Sequence, residues 1–165
     1  MTWVRIARNL IGTRELPGAA NNPTIMGWGN ALGVRVLGIP YTADSIPWCG
    51  LFMAWVMVQA GFKPPAIAIR AKEWEKFGDP LPMTMTPPEG AVAVFTRNGG
   101  GHVGIVVGIH PNGDLDILGG NQGDAVNIRR FPRTRLTAFR WPKGAPIGKP
   151  LKIAKSNTKA TTGEA

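Results

Sequence analysis

The chain has one cysteine, one tyrosine and two histidines in 165 residues. A single cysteine excludes an internal disulfide framework, and this length holds one domain whose core needs no such cross-links. Acidic residues are few: ten Asp and Glu stand against nineteen Lys and Arg, a formal net charge of +9. No apolar run is long enough to span a bilayer. The stretch from Met1 to Gly12, interrupted by Arg5 and Arg8, is too short and too charged for a signal peptide. Synthesis in the cytoplasm is therefore expected, with release by some other agent if the protein acts outside. There is no glycine-rich phosphate loop, no Cys-x-x-Cys and no His-x-x-x-His. A zinc site of Cys49, His102 and Asp124 has nothing else in its favour.

The excess positive charge implies an anionic partner: nucleic acid, a membrane surface or a wall polymer. Nucleic acid fits poorly, because the expected strands lack a basic–aromatic alternation and one tyrosine adds little stacking surface. The charge has two sources. Arg129, Arg130, Arg133, Arg135 and Arg140 lie near the end of the expected domain, and Lys143, Lys149, Lys152, Lys155 and Lys159 lie beyond it.

Helical signals come first. Trp3, Ile6, Ala7, Leu10 and Ile11 recur at helical spacing, and Gly12 ends that helix. Asn22-Pro23 reads as a cap and first residue of a second helix, which Gly33 stops near Leu32. Residues 34–47 read as a loop. From Trp48 to Ala60 the run is apolar on nearly every face, as in a buried helix, and Gly61 closes it. Asp44 and Ser45 are the expected caps of that helix. A short helix over 68–77 and a proline-rich loop over 78–90 follow.

The period then changes. Residues 91–95, 103–109, 115–118, 125–131 and 136–141 read as strands of an antiparallel meander. Helices followed by strands predict an α+β fold, with the N-terminal helices packed on the C-terminal sheet. Residues 1–142 form the expected domain, and 143–165 a basic tail with too little apolar surface to order itself.

Cys49 opens the apolar helix, where the dipole and unpaired N–H groups favour a thiolate. His102 opens the most apolar strand, and Gly104 on the same face leaves space beside the imidazole. His110 lies about 26 Å along that strand, too far to join His102, and reads as a turn residue. In Gly119-Gly120-Asn121-Gln122-Gly123-Asp124, Asn121 can orient the imidazole, completing a Cys–His–Asn arrangement. It can also simply bond its own backbone in a turn.

The ordered set Leu10-Ile11-Gly12-Thr13-Arg14-Glu15-Leu16-Pro17-Gly18, Pro47-Trp48-Cys49, Gly101-His102-Val103-Gly104 and Leu118-Gly119-Gly120-Asn121-Gln122 resembles papain-like cysteine hydrolases of the NlpC and CHAP type. Within these it looks most like small peptidoglycan hydrolases carried by phages and bacteria. The resemblance spans about residues 3–142. It implies Cys49 as nucleophile, His102 as general base and acid, and Asn121 as the orienting third member. Some CHAP domains carry an acidic residue at the position of Gly119, so that alternative third member is missing here. Glu15 and Trp48 are implied near the substrate groove.

The expected activity is hydrolysis of an amide in the peptide part of bacterial peptidoglycan, by a monomer without cofactor or metal. The basic tail would hold it to an anionic wall or outer-membrane surface. The setting implied is a phage endolysin, made in the host cytoplasm and released to the wall. A delivered antibacterial toxin of the same chemistry, or an inactive wall-binding module, are the alternatives.

Overall fold

The computed structural model describes residues 1–155; the rest of the expected tail, 156–165, lies outside the described residues. Three helices come first: α1 (Thr2–Asn9), α2 (Pro23–Leu37) and α3 (Cys49–Gln59), followed by a 3-10 turn at Ala71–Lys76. The strands are β1 (Asp79–Leu81), β2 (Val92–Arg97), β3 (Gly100–Ile109), β4 (Leu115–Gly119), β5 (Asn127–Phe131) and β6 (Leu136–Trp141). They form one six-stranded antiparallel sheet in the order β1-β6-β2-β3-β4-β5. The fold is the expected α+β arrangement of N-terminal helices and C-terminal sheet.

The start of α2 follows its sequence signal. The Asn22 side chain accepts hydrogen bonds from the Thr24 and Ile25 amides at 2.7 and 3.3 Å, and Pro23 fills the first turn. The end does not. Gly33 (φ 71°, ψ 178°) kinks the helix instead of stopping it, and the chain coils on to Leu37, where Gly38 caps it at φ 88°. The segment 34–47 therefore begins with a helical turn.

Helix α3 is the centre of the core. Cys49, Leu51, Phe52, Met53, Val56 and Met57 are all buried, and each large apolar side chain so placed contributes about 1.5–3 kcal/mol. A Cβ on Gly50 would lie 2.3 Å from the Ala68 carbonyl oxygen, so glycine lets residues 68–69 cross the helix start. The expected side-chain cap is missing: Trp48 occupies the cap position without a side-chain hydrogen bond. Asp44 is used elsewhere. Its buried carboxylate accepts from the Leu16 and Asn22 amides at 3.1 and 2.7 Å, tying two loops together.

Other segments also depart from expectation. The helix expected over 68–77 is only the 3-10 turn, and the loop expected over 78–90 contains β1. Strands β2 to β5 form the meander, but β6 turns back to pair with β2. The basic segment after residue 142 does not leave the domain at once. The Trp141 indole donates to the Ala145 carbonyl at 3.0 Å, and the Leu151 and Ala154 amides donate to Pro87 and Ile109, both at 2.9 Å. Backbone hydrogen bonds, which composition does not reveal, anchor it together with Ala145 and Leu151, which pack against the core.

Candidate active site

Cys49 is the first residue of α3, and His102 lies near the start of β3, opposite Phe95 of β2. Two glycines bring β4 against both. A Cβ on Gly119 would lie 3.4 Å from His102 Nε2, and one on Gly120 would lie 2.6 Å from Phe52 and 2.9 Å from Trp48. The turn after β4 thus passes over the start of α3.

The imidazole is held on two sides. Its ring stacks on Phe131 at 5.0 Å and 8°, and its Nε2 lies 2.9 Å from Gln122 Oε1. Gln122 is itself fixed: its Nε2 donates to the Ile117 carbonyl at 3.1 Å and to the Asn127 carbonyl and Oδ1 at 3.0 Å. Those acceptors require the NH2 end of the carboxamide, so the oxygen must face the histidine. An oxygen there can only accept, so His102 carries its proton on Nε2. Nδ1 is left as a lone-pair acceptor, and it is buried without a hydrogen-bond partner among the described residues.

The thiol lies beside the same strand. The backbone at Val103, next to His102, and at Cys49 and Gly50 favours the charged form of the Cys49 sulfur. The Arg97 charge acts on both Cys49 and His102. Burial pushes the Cys49 thiol above its ordinary value, against the opposing pull of Val103, Arg97 and the helix start. Burial also lowers the His102 imidazole to about 4; Gln122 raises it, while Arg97 and Arg135 lower it further. Near pH 7 the closed site therefore holds a neutral thiol and a neutral imidazole. The thiolate expected from the helix dipole does not prevail, because desolvation outweighs it.

Three further expectations are corrected. The hydrogen bond expected from Asn121 to the imidazole is made by Gln122. Asn121 is buried at φ 59° and Asp124 turns at φ 62°; these two left-handed residues fold the turn so that Gln122 reaches His102. Asn and Asp enter that region more readily than other side chains, which was the available signal that Asn121 shapes the turn. Gly104 does not open space beside the imidazole. A Cβ there would lie 2.3 Å from Ile117 Cγ2, so it permits close strand packing, and His102 is 0% exposed. Trp48 is fully buried and does not line a groove; its indole donates to Glu15 Oε2 at 3.0 Å.

Glu15 is half-buried and braces the residue before Cys49. Burial raises its carboxyl, the Trp48 bond lowers it, and Asp124 and Asp44 raise it. His110 lies in the turn after β3, buried, with Nε2 2.8 Å from Asp116 Oδ1. Sequence reasoning missed Phe131 and Arg97, which reach the site only through strand pairing. Among the described residues no three His, Cys, Asp or Glu side chains cluster as metal ligands.

A cysteine opening the central helix of an α+β fold, beside a histidine on the adjoining antiparallel sheet, defines the papain-like class. Within it, residues 41–121, a span that includes Cys49 and His102, match the model of the CHAP domain. CHAP domains are generally cysteine- and histidine-dependent peptidoglycan amidases or peptidases. No curated protein and no solved structure matches the chain.

Proposed function

We propose that the protein hydrolyses an amide in the peptide part of peptidoglycan, with Cys49 as nucleophile, His102 as base and acid, and Gln122 as the residue that orients the imidazole. One observation carries this reading: Gln122 holds His102 in the Nε2–H form, which leaves Nδ1 free to accept a proton. Nδ1 takes the thiol proton as sulfur attacks the carbonyl carbon. The oxyanion is met by N–H groups at the start of α3, which have no partner within the helix. The Nδ1 proton passes to the leaving nitrogen, the C–N bond breaks and a thioester remains. Water, deprotonated by Nδ1, attacks the thioester; the product carboxyl departs and the proton returns to sulfur.

The setting we favour is that of an endolysin, made in the host bacterial cytoplasm and admitted to the wall by a separate membrane-opening protein. Its net charge of +9 suits an anionic wall surface. Lysis on cytoplasmic expression alone, without a membrane-permeabilising partner, would contradict this setting.

A wall-binding module with an inert thiol is the second reading. It is favoured by the burial of Cys49 and His102, 4% and 0% exposed. Mass spectrometry of digested peptidoglycan separates the two. The proposed enzyme releases peptides with one new amine and one new carboxyl per cut, and their masses identify the bond. An inert module releases none.

A further inference from the structure

The geometry points to a docking site for a phosphate-bearing anionic wall polymer at the end of α3 opposite Cys49. A hollow of about 470 Å³ lies there, lined by Lys63, Lys76 and Lys143 around Phe62, Phe77 and Pro64. It adjoins a second hollow of about 580 Å³, beside Trp3 and Pro146, and the two share Phe62 and Lys143. The floor is packed: the Phe62 ring meets Trp3 edge-on at 5.5 Å and 88°. Helix α3 spans eleven residues, about 16 Å, so an occupant here leaves the Cys49 end clear.

Charge decides the occupant. No carboxylate lines either hollow among the described residues. Many cations of the second half are committed to the fold. Arg130 bonds Asp114, Arg133 bonds the Met83 and Met85 carbonyls, and Arg140 bonds the Phe77 and Gly78 carbonyls. Lys63 and Lys143 are exposed and carry no ion pair among the described residues. Lys76 has only Glu73, at 3.2 Å in a solvent-exposed i,i+3 pair, which holds it weakly. Lysine binds phosphate as a point charge, without the fixed fork of arginine. Two joined hollows form a track, which suits a repeating polyol phosphate better than a single small anion.

The test uses the full chain carrying Cys49→Ala, so that binding is read without hydrolysis and its outcome is separate from that of the catalytic reading. Pelleting is measured on purified walls that retain their polyol-phosphate polymer and on the same walls stripped of it by acid extraction. Adding Lys63→Gln with Lys143→Gln should weaken binding to intact walls by about tenfold or more at low salt and leave binding to stripped walls unchanged. With Cys49 present, the same pair should not alter cleavage of a soluble muropeptide. A charge-matched pair, Arg35→Gln with Arg70→Gln, should cost far less. The site is overturned if that control loses as much, if the parent binds stripped walls as well as intact ones, or if it binds anionic lipid vesicles but not intact walls.

Discussion

Replacing Gln122 with alanine removes the acceptor of the His102 Nε2 proton, 2.9 Å away. The imidazole is fully buried in the intact fold, so no bulk water stands ready at Nε2. Either the N–H stays unsatisfied, or the proton moves to Nδ1, the atom proposed to accept from Cys49. Each outcome costs about 1–3 kcal/mol. If that cost falls on the transition state, turnover drops by about 5- to 150-fold. The variant also loses the carboxamide donors to Ile117 and Asn127, so rates must be taken well below its melting temperature. The assay is the initial rate of clearing of a peptidoglycan suspension, with imidazole 15N shifts reporting the tautomer. Asn121→Gly is the control: it removes the other carboxamide and relaxes the positive φ, and should retain most activity. A full rate for Gln122→Ala together with a large loss for Asn121→Gly would refute the assignment.

Three further outcomes follow from the same contacts. His102 is held at about 4 against an ordinary 6.5, so the unfolded chain binds a proton in that interval that the folded chain refuses. Its contribution is present above pH 6.5 and is lost as pH falls towards 4, by about 3 kcal/mol; urea unfolding of wild type minus His102→Gln should show it, and a flat difference would contradict the burial. Glu15→Gln keeps an acceptor for Trp48 and removes repulsion from Asp124 and Asp44, so thermal stability at pH 7 should hold or rise, whereas Glu15→Ala should lose about 1 kcal/mol. Gly50→Ala drives a Cβ to 2.3 Å from the Ala68 carbonyl oxygen and should cost about 2 kcal/mol or more; an unchanged melting temperature would contradict that close crossing.

Features with a local cause were legible in the sequence. Asn22-Pro23 announces a helix start because the cap and the proline act within one turn. The run after Trp48 announces a buried helix because it has no polar face. Cys49 and His102 stand out in the sequence as candidates because each opens an element next to turn residues. What depended on distant neighbours was not. Asp44 reads as a helix cap, yet it serves the Leu16 and Asn22 amides. Gly104 reads as a gap, yet it is filled by Ile117 from the next strand. Asn121 and Gln122 carry the same functional group, and only the left-handed turn decides which one reaches the imidazole. The state of the thiol was misread for a similar reason: the helix dipole is local, whereas the burial that outweighs it comes from the whole core.

The most direct test of the central claim is the rate at which purified Cys49→Ala protein releases new amino groups from peptidoglycan, taken once its melting temperature matches that of wild type. Nucleophilic catalysis by Cys49 predicts a fall of at least about a thousandfold. Release at the wild-type rate would contradict it.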